Sequence, residues 1–257
     1  MRDMLHERDW SFISETIYQM NFEENLQRAG RIALDALYVL IPCDQVMLTL
    51  FEDGDKGPNI HCGYIDYVGV EARYLDLFRS GKYDDDPYFR YCNLLRETKC
   101  FRDSDTMSDE YRESTAIFKD IYAKQGIYYG IRSYLVYKGK VVANVSAFSS
   151  KERGDFSQRD LFVLDTIAPH IALRIGRSLA ETESSEIAEK RLEGFSKLGL
   201  TAREQEIASK VVDGLSDSDI AESLCISRST LKKHIYNIYQ KLDVNNRVQL
   251  YAALSQL

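Results

Sequence analysis

The stretch from Leu200 to Leu254 constrains this 257-residue chain more than any other, because it marks its own helix boundaries. Thr201-Ala-Arg-Glu204 has capping-box order, in which a hydroxyl accepts from the third backbone N–H and the glutamate reaches back. An apolar face of Ile207, Ala208, Val211 and Val212 follows, with Gly214 as the stop. Ser216 can cap a second helix with Ile220, Ala221 and Leu224 inward. After a turn at Cys225–Ile226, Ser227 can cap a third. That third helix buries Leu231, Ile235, Ile238 and Leu242, spaced four, three and four. A fourth is expected from near Asn245, presenting Val248, Leu250, Tyr251 and Leu254. Residues 199–257 therefore read as an all-α four-helix domain containing a helix-turn-helix.

Net charge is -7, which taken whole argues against binding nucleic acid. Its distribution reverses that argument. Residues 200–257 hold seven basic and seven acidic side chains, so residues 1–199 carry the whole deficit. Between Ile226 and Leu242 stand Arg228, Lys232, Lys233 and Lys241 with no acid among them. Opposite the buried stripe lie Ser229, Lys232, Lys233, Tyr236 and Asn237, donor-bearing side chains suited to base edges and phosphates. The alternative is a small helical bundle with a solvated basic face. The coincidence of helix count, spacing and caps favours a DNA reader.

In residue order this segment resembles the DNA-binding domain of LuxR-type regulators. The resemblance implies base-edge contacts from Lys232, Lys233 and Tyr236, and phosphate contacts from Thr230, Asn237, Lys241 and Arg247. It further implies a cytoplasmic transcription factor that binds a near-palindromic DNA operator as a homodimer, with RNA polymerase as a further partner. Cys225 and Asp243 depart from the family at turn positions where glycine is usual.

Residues 1–176 read as a separate ligand-sensing or dimerisation domain. Helical periodicity spans residues 7–40, broken near Asn21 and stopped by Pro42. Strands are expected at Gln45–Phe51, near Ile60–Ile65 and around Cys100. Ile131–Tyr137 and Val141–Phe148 flank Lys138-Gly139 as a hairpin. Helices are expected at Val70–Arg79, from about Asp86 to Arg96, at Asp109–Gln125, and from near Ser157 towards Glu193, with Pro169 bending or interrupting the last. Five strands in mainly hairpin order predict an α+β domain, an α/β/α sandwich around an antiparallel, GAF/PAS-like sheet. Residues 177–198 are charged and free of proline, and read as a helical linker, either a passive spacer or a coupling element.

Several N-terminal positions resemble the autoinducer-binding domain of quorum-sensing receptors of the LuxR type. Asp86-Pro87 matches the family's Asp-Pro pair; Tyr74 and Phe78 stand near the places of its Trp and Tyr, Phe101 near its second Trp. Phe118, Ala123, Gly126, Gly130 and Ser146 fall near matching positions. The resemblance implies a small diffusible signal held by Tyr74, Phe78, Asp86, Phe101 and Ser146, with Asp86 as acceptor. The only Trp is Trp10, so the ligand is expected to differ from a standard acyl-homoserine lactone. Twelve of the seventeen tyrosines fall between Tyr64 and Tyr137, which fits an aromatic-walled pocket or, alternatively, rings packing a curved sheet with Asp86 capping a helix.

Other chemistry finds no footing in the sequence. Asp84-Asp85-Asp86 does not follow a strand as a phospho-acceptor cluster would, and His61-Cys62 with Cys43 lacks metal-ligand spacing. No Ser/His/Asp order or Gly-rich phosphate loop occurs, so neither catalysis nor a cofactor or metal is expected. Five scattered cysteines without a CxxC pair suit reduced thiols. No apolar run nears the roughly 18 residues of a membrane span, and the charged MRDMLHERDW start is unlike a signal peptide.

Overall fold

The computed structural model describes residues 5–54, 57–69 and 94–255, with positions 76, 80, 82 and 83 between them. The chain divides into two compact units, Met1–Leu179 and Ala180–Leu257.

In the first unit, α1 (Glu7–Phe22) and α2 (Leu26–Leu40) form the helical pair expected from periodicity. Asn25 starts α2 by accepting the Arg28 N–H at 3.0 Å. Ala29, Ala33, Leu34, Leu37 and Leu40 then line one buried face. Five antiparallel strands follow: β1 (Gln45–Gly54), β2 (Gly57–Val68), β3 (Lys99–Arg102), β4 (Tyr129–Tyr137) and β5 (Lys140–Ser149). Their spatial order is β2-β1-β5-β4-β3. The β4–β5 turn uses Lys138 and Gly139 at φ 49° and 78°, the left-handed pair that a two-residue hairpin turn requires.

Side-chain alternation divides the sheet into two faces. Val46, Leu48, Ile131, Leu135, Ala143, Val145 and Ala147 pack against α1, α2 and the first half of α5 (Gln158–Lys197). Gly176 brings α5 down onto β4, where a Cβ would collide with the Tyr137 ring. On the other face Met47 and Phe148 pack with Ile117, Phe118, Ile121, Tyr122 and Ile127. The result is the α/β/α sandwich with an antiparallel sheet.

Local expectations needed three corrections. The Asp109–Gln125 helix is broken: α4 (Asp109–Ser114) ends at Thr115, whose extended backbone (ψ 149°) stops it. Thr115 then accepts the Phe118 N–H at 3.3 Å and starts a π-helical turn, Phe118–Tyr122, followed by a 3-10 turn, Ala123–Gln125. A short helix before it, α3 (Asp103–Thr106), had no sequence signal. The long helix expected from near Ser157 is present as α5 and is uninterrupted at Pro169, which sits on the exposed side, where helical hydrogen bonds are longest and their loss costs least. The helix expected at Val70–Arg79 and most of that from Asp86 lie outside the described residues; Leu94–Arg96 are turn and bend rather than helix.

In the second unit the end of α5 joins α6 (Ala202–Val212), α7 (Asp217–Ser223), α8 (Arg228–Leu242) and α9 (Arg247–Leu254). Phe195, Ile207, Ala208, Val211, Ile220, Leu231, Ile238, Leu250 and Leu254 form one core. Among the described residues no helix is long and apolar enough to cross a membrane.

Candidate nucleic-acid interface

Each helix of the second unit starts on the residue that can cap it. Thr201, Ser216, Ser227 and Asn246 accept from the backbone N–H of Glu204, Asp219, Thr230 and Gln249. The first two are closed capping boxes, because Glu204 and Asp219 reach back. Between α7 and α8, Cys225 adopts φ 53°, and Ile226 N–H returns to Ala221 O at 2.9 Å. Asp243, at φ 51°, ends α8 in the same left-handed region. The two turn positions where glycine was expected therefore keep glycine-like backbone with other residues, at a local cost of about 1–2 kcal/mol each.

Burial of Leu231, Ile235 and Ile238 turns the opposite face of α8 to solvent. Thr230, Lys232, Lys233 and Tyr236 are exposed and Asn237 is half-buried. Tyr236 is 60% exposed, far more than an aromatic serving the core. Among the described residues Lys232 and Lys233 form no ion pair, so their charge is available at the surface. Thr230 adds its hydroxyl to a serine cluster at the helix start, 2.8 Å from Ser227 Oγ. Arg228 donates to Ser218 on α7 at 2.6 Å, tying the two helices of the motif.

The structure separates Lys241 and Arg247 from this set. Lys241 Nζ donates to Gly199 O at 2.8 Å and to Glu204 Oε2 at 2.6 Å. Burial alone would raise the Glu204 carboxyl. Hydrogen bonds from Lys241 and Thr201 outweigh it and hold the group below its ordinary value. Arg247 pairs with Asp217 and donates to Leu215 O. Both cations, expected at phosphates, are engaged inside the unit. Their partners lie 30 or more positions away, so no local pattern could have revealed the engagement.

In the first unit, strand register lines up Phe101, Arg132, Ser146, Met47 and Tyr67 across the sheet. Phe101 and Ser146 thus share a row and a face, two strands apart at about 10 Å. Both are buried. Tyr74, Phe78 and Asp86 lie outside the described residues. Between the two predicted residues stands Arg132, held by Asp103 at 2.6 and 2.7 Å and by Tyr122 at 3.2 Å. Ser146 donates to Asn144 at 2.7 Å. Sequence reading missed Arg132, Asp103 and Asn144. An arginine inside the apolar strand Ile131–Tyr137 was the available signal, since a buried cation requires a partner.

Residues 198–254 match the family model described as bacterial regulatory proteins, luxR family. Over 70 residues the chain is 47% identical to the transcriptional regulatory protein DegU of Brevibacillus brevis, covering 27% of this chain and 30% of that protein. The chain thus spans less than a third of that relative's length. Among solved structures, SdiA in complex with octanoyl-rac-glycerol is 14% identical with a TM-score of 0.46, covering 98% of this chain and 96% of that one. The VqsR LBD domain from Pseudomonas aeruginosa is 14% identical with a TM-score of 0.48, covering 68% of this chain and 96% of that one.

Proposed function

With a C-terminal domain of the LuxR family as the premise, we propose that the whole chain is a sequence-specific DNA-binding transcriptional regulator controlled through its N-terminal unit. The exposed, acid-free face of α8 carries this reading. Lys232, Lys233 and Tyr236 reach base edges, while Thr230 and Asn237 meet phosphates. Lys241 and Arg247 support the fold of the reader rather than the DNA backbone. One such module covers a short half-site, so a homodimer reads a near-palindrome. The protein acts in the cytoplasm, where the DNA and RNA polymerase are. The reading includes no catalysis, and the matching DegU is itself named a regulator.

Control by a small molecule is supported by the buried polar row at Arg132 and Ser146, on the face where Phe101 also lies. Tyr74, Phe78 and Asp86 complete the proposed ligand set. A ligand-independent regulator is the second reading. It is favoured by the matching of Arg132 to Asp103 and of Ser146 to Asn144 within the chain.

Selection of bound sequences from a random duplex pool by the full chain tests the main reading. A near-palindromic consensus with affinity falling steeply in salt is expected. Retention of no sequence at low salt defeats it. A thermal-shift screen separates the two forms of control, because a ligand at 100 times its Kd adds about 2.7 kcal/mol to the unit that holds it.

A further inference from the structure

The outward side of α1 carries a continuous ridge at four-residue spacing: Trp10, Ser14, Tyr18 and Phe22. Its aromatic members are 45%, 58% and 71% exposed. Tyr18 and Phe22 lie ring against ring, 4.5 Å apart. α5 runs beside α1 in the same direction: Arg159 reaches Asp9 at 3.3 Å, and further along Arg174 donates to the carbonyls of Glu23 and Glu24. Across that seam Phe162, half exposed, meets Trp10 edge to face at 5.9 Å. Four aromatic rings and a serine thus form one uncharged strip on the surface.

We propose that this strip is where two copies of the chain pair, α1 against α1. The inference rests on the dimeric reading above and names the surface that makes the dimer. Rings of this kind bury 150–250 Å² each, so the exposed parts of the four remove roughly 1,000 Å² from water in a symmetric pair. That reaches the lower bound of a specific interface, and the roughly 500 Å² that each copy contributes has the size of the largest apolar patch on a typical monomer, which is often a functional surface. The shape is self-complementary. Ridges at four-residue spacing interdigitate at a crossing of about −50°, and Ser14 leaves a gap between large neighbours where an identical ridge can cross. A two-fold axis there lets each copy present the same patch to the other. Charge argues against a lipid surface as the occupant. α1 carries Glu7, Asp9 and Glu15 against Arg8 alone, whereas helices that lie on anionic membranes are rich in Lys and Arg.

The test uses the full chain and a Tyr18→Glu/Phe22→Glu variant, with mass measured by light scattering across a dilution series without DNA. Wild type is expected to be a dimer. The variant should dissociate at concentrations at least about 30-fold higher, with wild-type thermal melting, because both positions face solvent. Should the double variant melt early, Phe22→Ser gives the same reading with a milder change. A variant as dimeric as wild type overturns the inference, as does a wild-type chain that is monomeric, or monomeric and captured by anionic vesicles. Binding to a single half-site is measured in parallel. Unchanged half-site affinity in a monomeric variant shows pairing lost with the DNA reader intact. A dimer that binds no DNA would sink the regulator reading and leave the α1 strip standing.

Discussion

The C-terminal unit and the N-terminal unit encode their structures over different distances. In the former, each helix begins on a side chain that caps it three residues later, and α6 to α9 follow one another across short turns. In the latter, β1 pairs with β5, so that Gln45 sits opposite Phe148, and Ser150 N–H reaches back to Asp44 at 2.8 Å. A local code can be read with a window of a few residues. A sheet whose middle strands come from opposite ends of the domain cannot, because the energy that selects the pairing is non-local.

The strongest challenge to this division comes from removing one buried anchor in each unit. Asp103→Ala removes the carboxylate that accepts two hydrogen bonds from Arg132, which is 4% exposed, and should destabilise the first unit by about 3–5 kcal/mol. Phe195→Ala should cost the second unit about 3–5 kcal/mol, although Phe195 belongs to the helix that starts in the first. Amide exchange read residue by residue should show each loss confined to its own unit. Loss of protection throughout the chain from either change would mean that the two fold as one.

A second comparison separates cations without an ion pair among the described residues from cations already paired within the unit. Lys232→Ala should weaken operator binding by about 1–3 kcal/mol with the melting temperature unchanged. Lys241→Met should leave the salt slope of DNA binding alone and destabilise the second unit by about 1–3 kcal/mol, since Glu204 then stays buried without its cation. A reduced salt slope in the Lys241 variant would return that residue to the phosphate contacts.

Acid offers a smaller effect on the same network. The Glu204 carboxyl is held below its ordinary value of 4.5, so it binds fewer protons folded than unfolded. Its contribution is complete above that value and disappears as pH falls through the lowered one. Glu204→Gln should therefore lower stability at neutral pH and flatten the acid limb of the second unit's stability curve. Parallel acid limbs in the two proteins would contradict this assignment. The smallest change expected is at the turn: Cys225→Gly relieves a left-handed backbone at φ 53° and should raise stability by about 0.5 kcal/mol, measured by denaturant midpoint.

Sequence reading succeeded where a signal lay within one turn or one strand. Thr201, Ser216 and Ser227 marked helix starts, Lys138-Gly139 marked the hairpin, and the spacing from Leu231 to Leu242 turned Lys232, Lys233 and Tyr236 outward. It failed at Thr115, where an extended residue cuts a run that reads as helix, and it left open whether Pro169 interrupts α5, because the cost of that proline depends on which side of the helix meets water.

By itself, then, the sequence determined the helix-turn-helix and the side of α8 that is turned to solvent, because periodicity and caps act between neighbours. Only the tertiary structure decided what the remaining charges do. Lys241 was drawn to Glu204, Arg247 to Asp217 and Arg132 to Asp103, across separations of 37, 30 and 29 residues. A cation's role depends on which carboxylate the folded chain brings within hydrogen-bonding reach. Proximity of that kind is a property of packing that no local residue pattern carries.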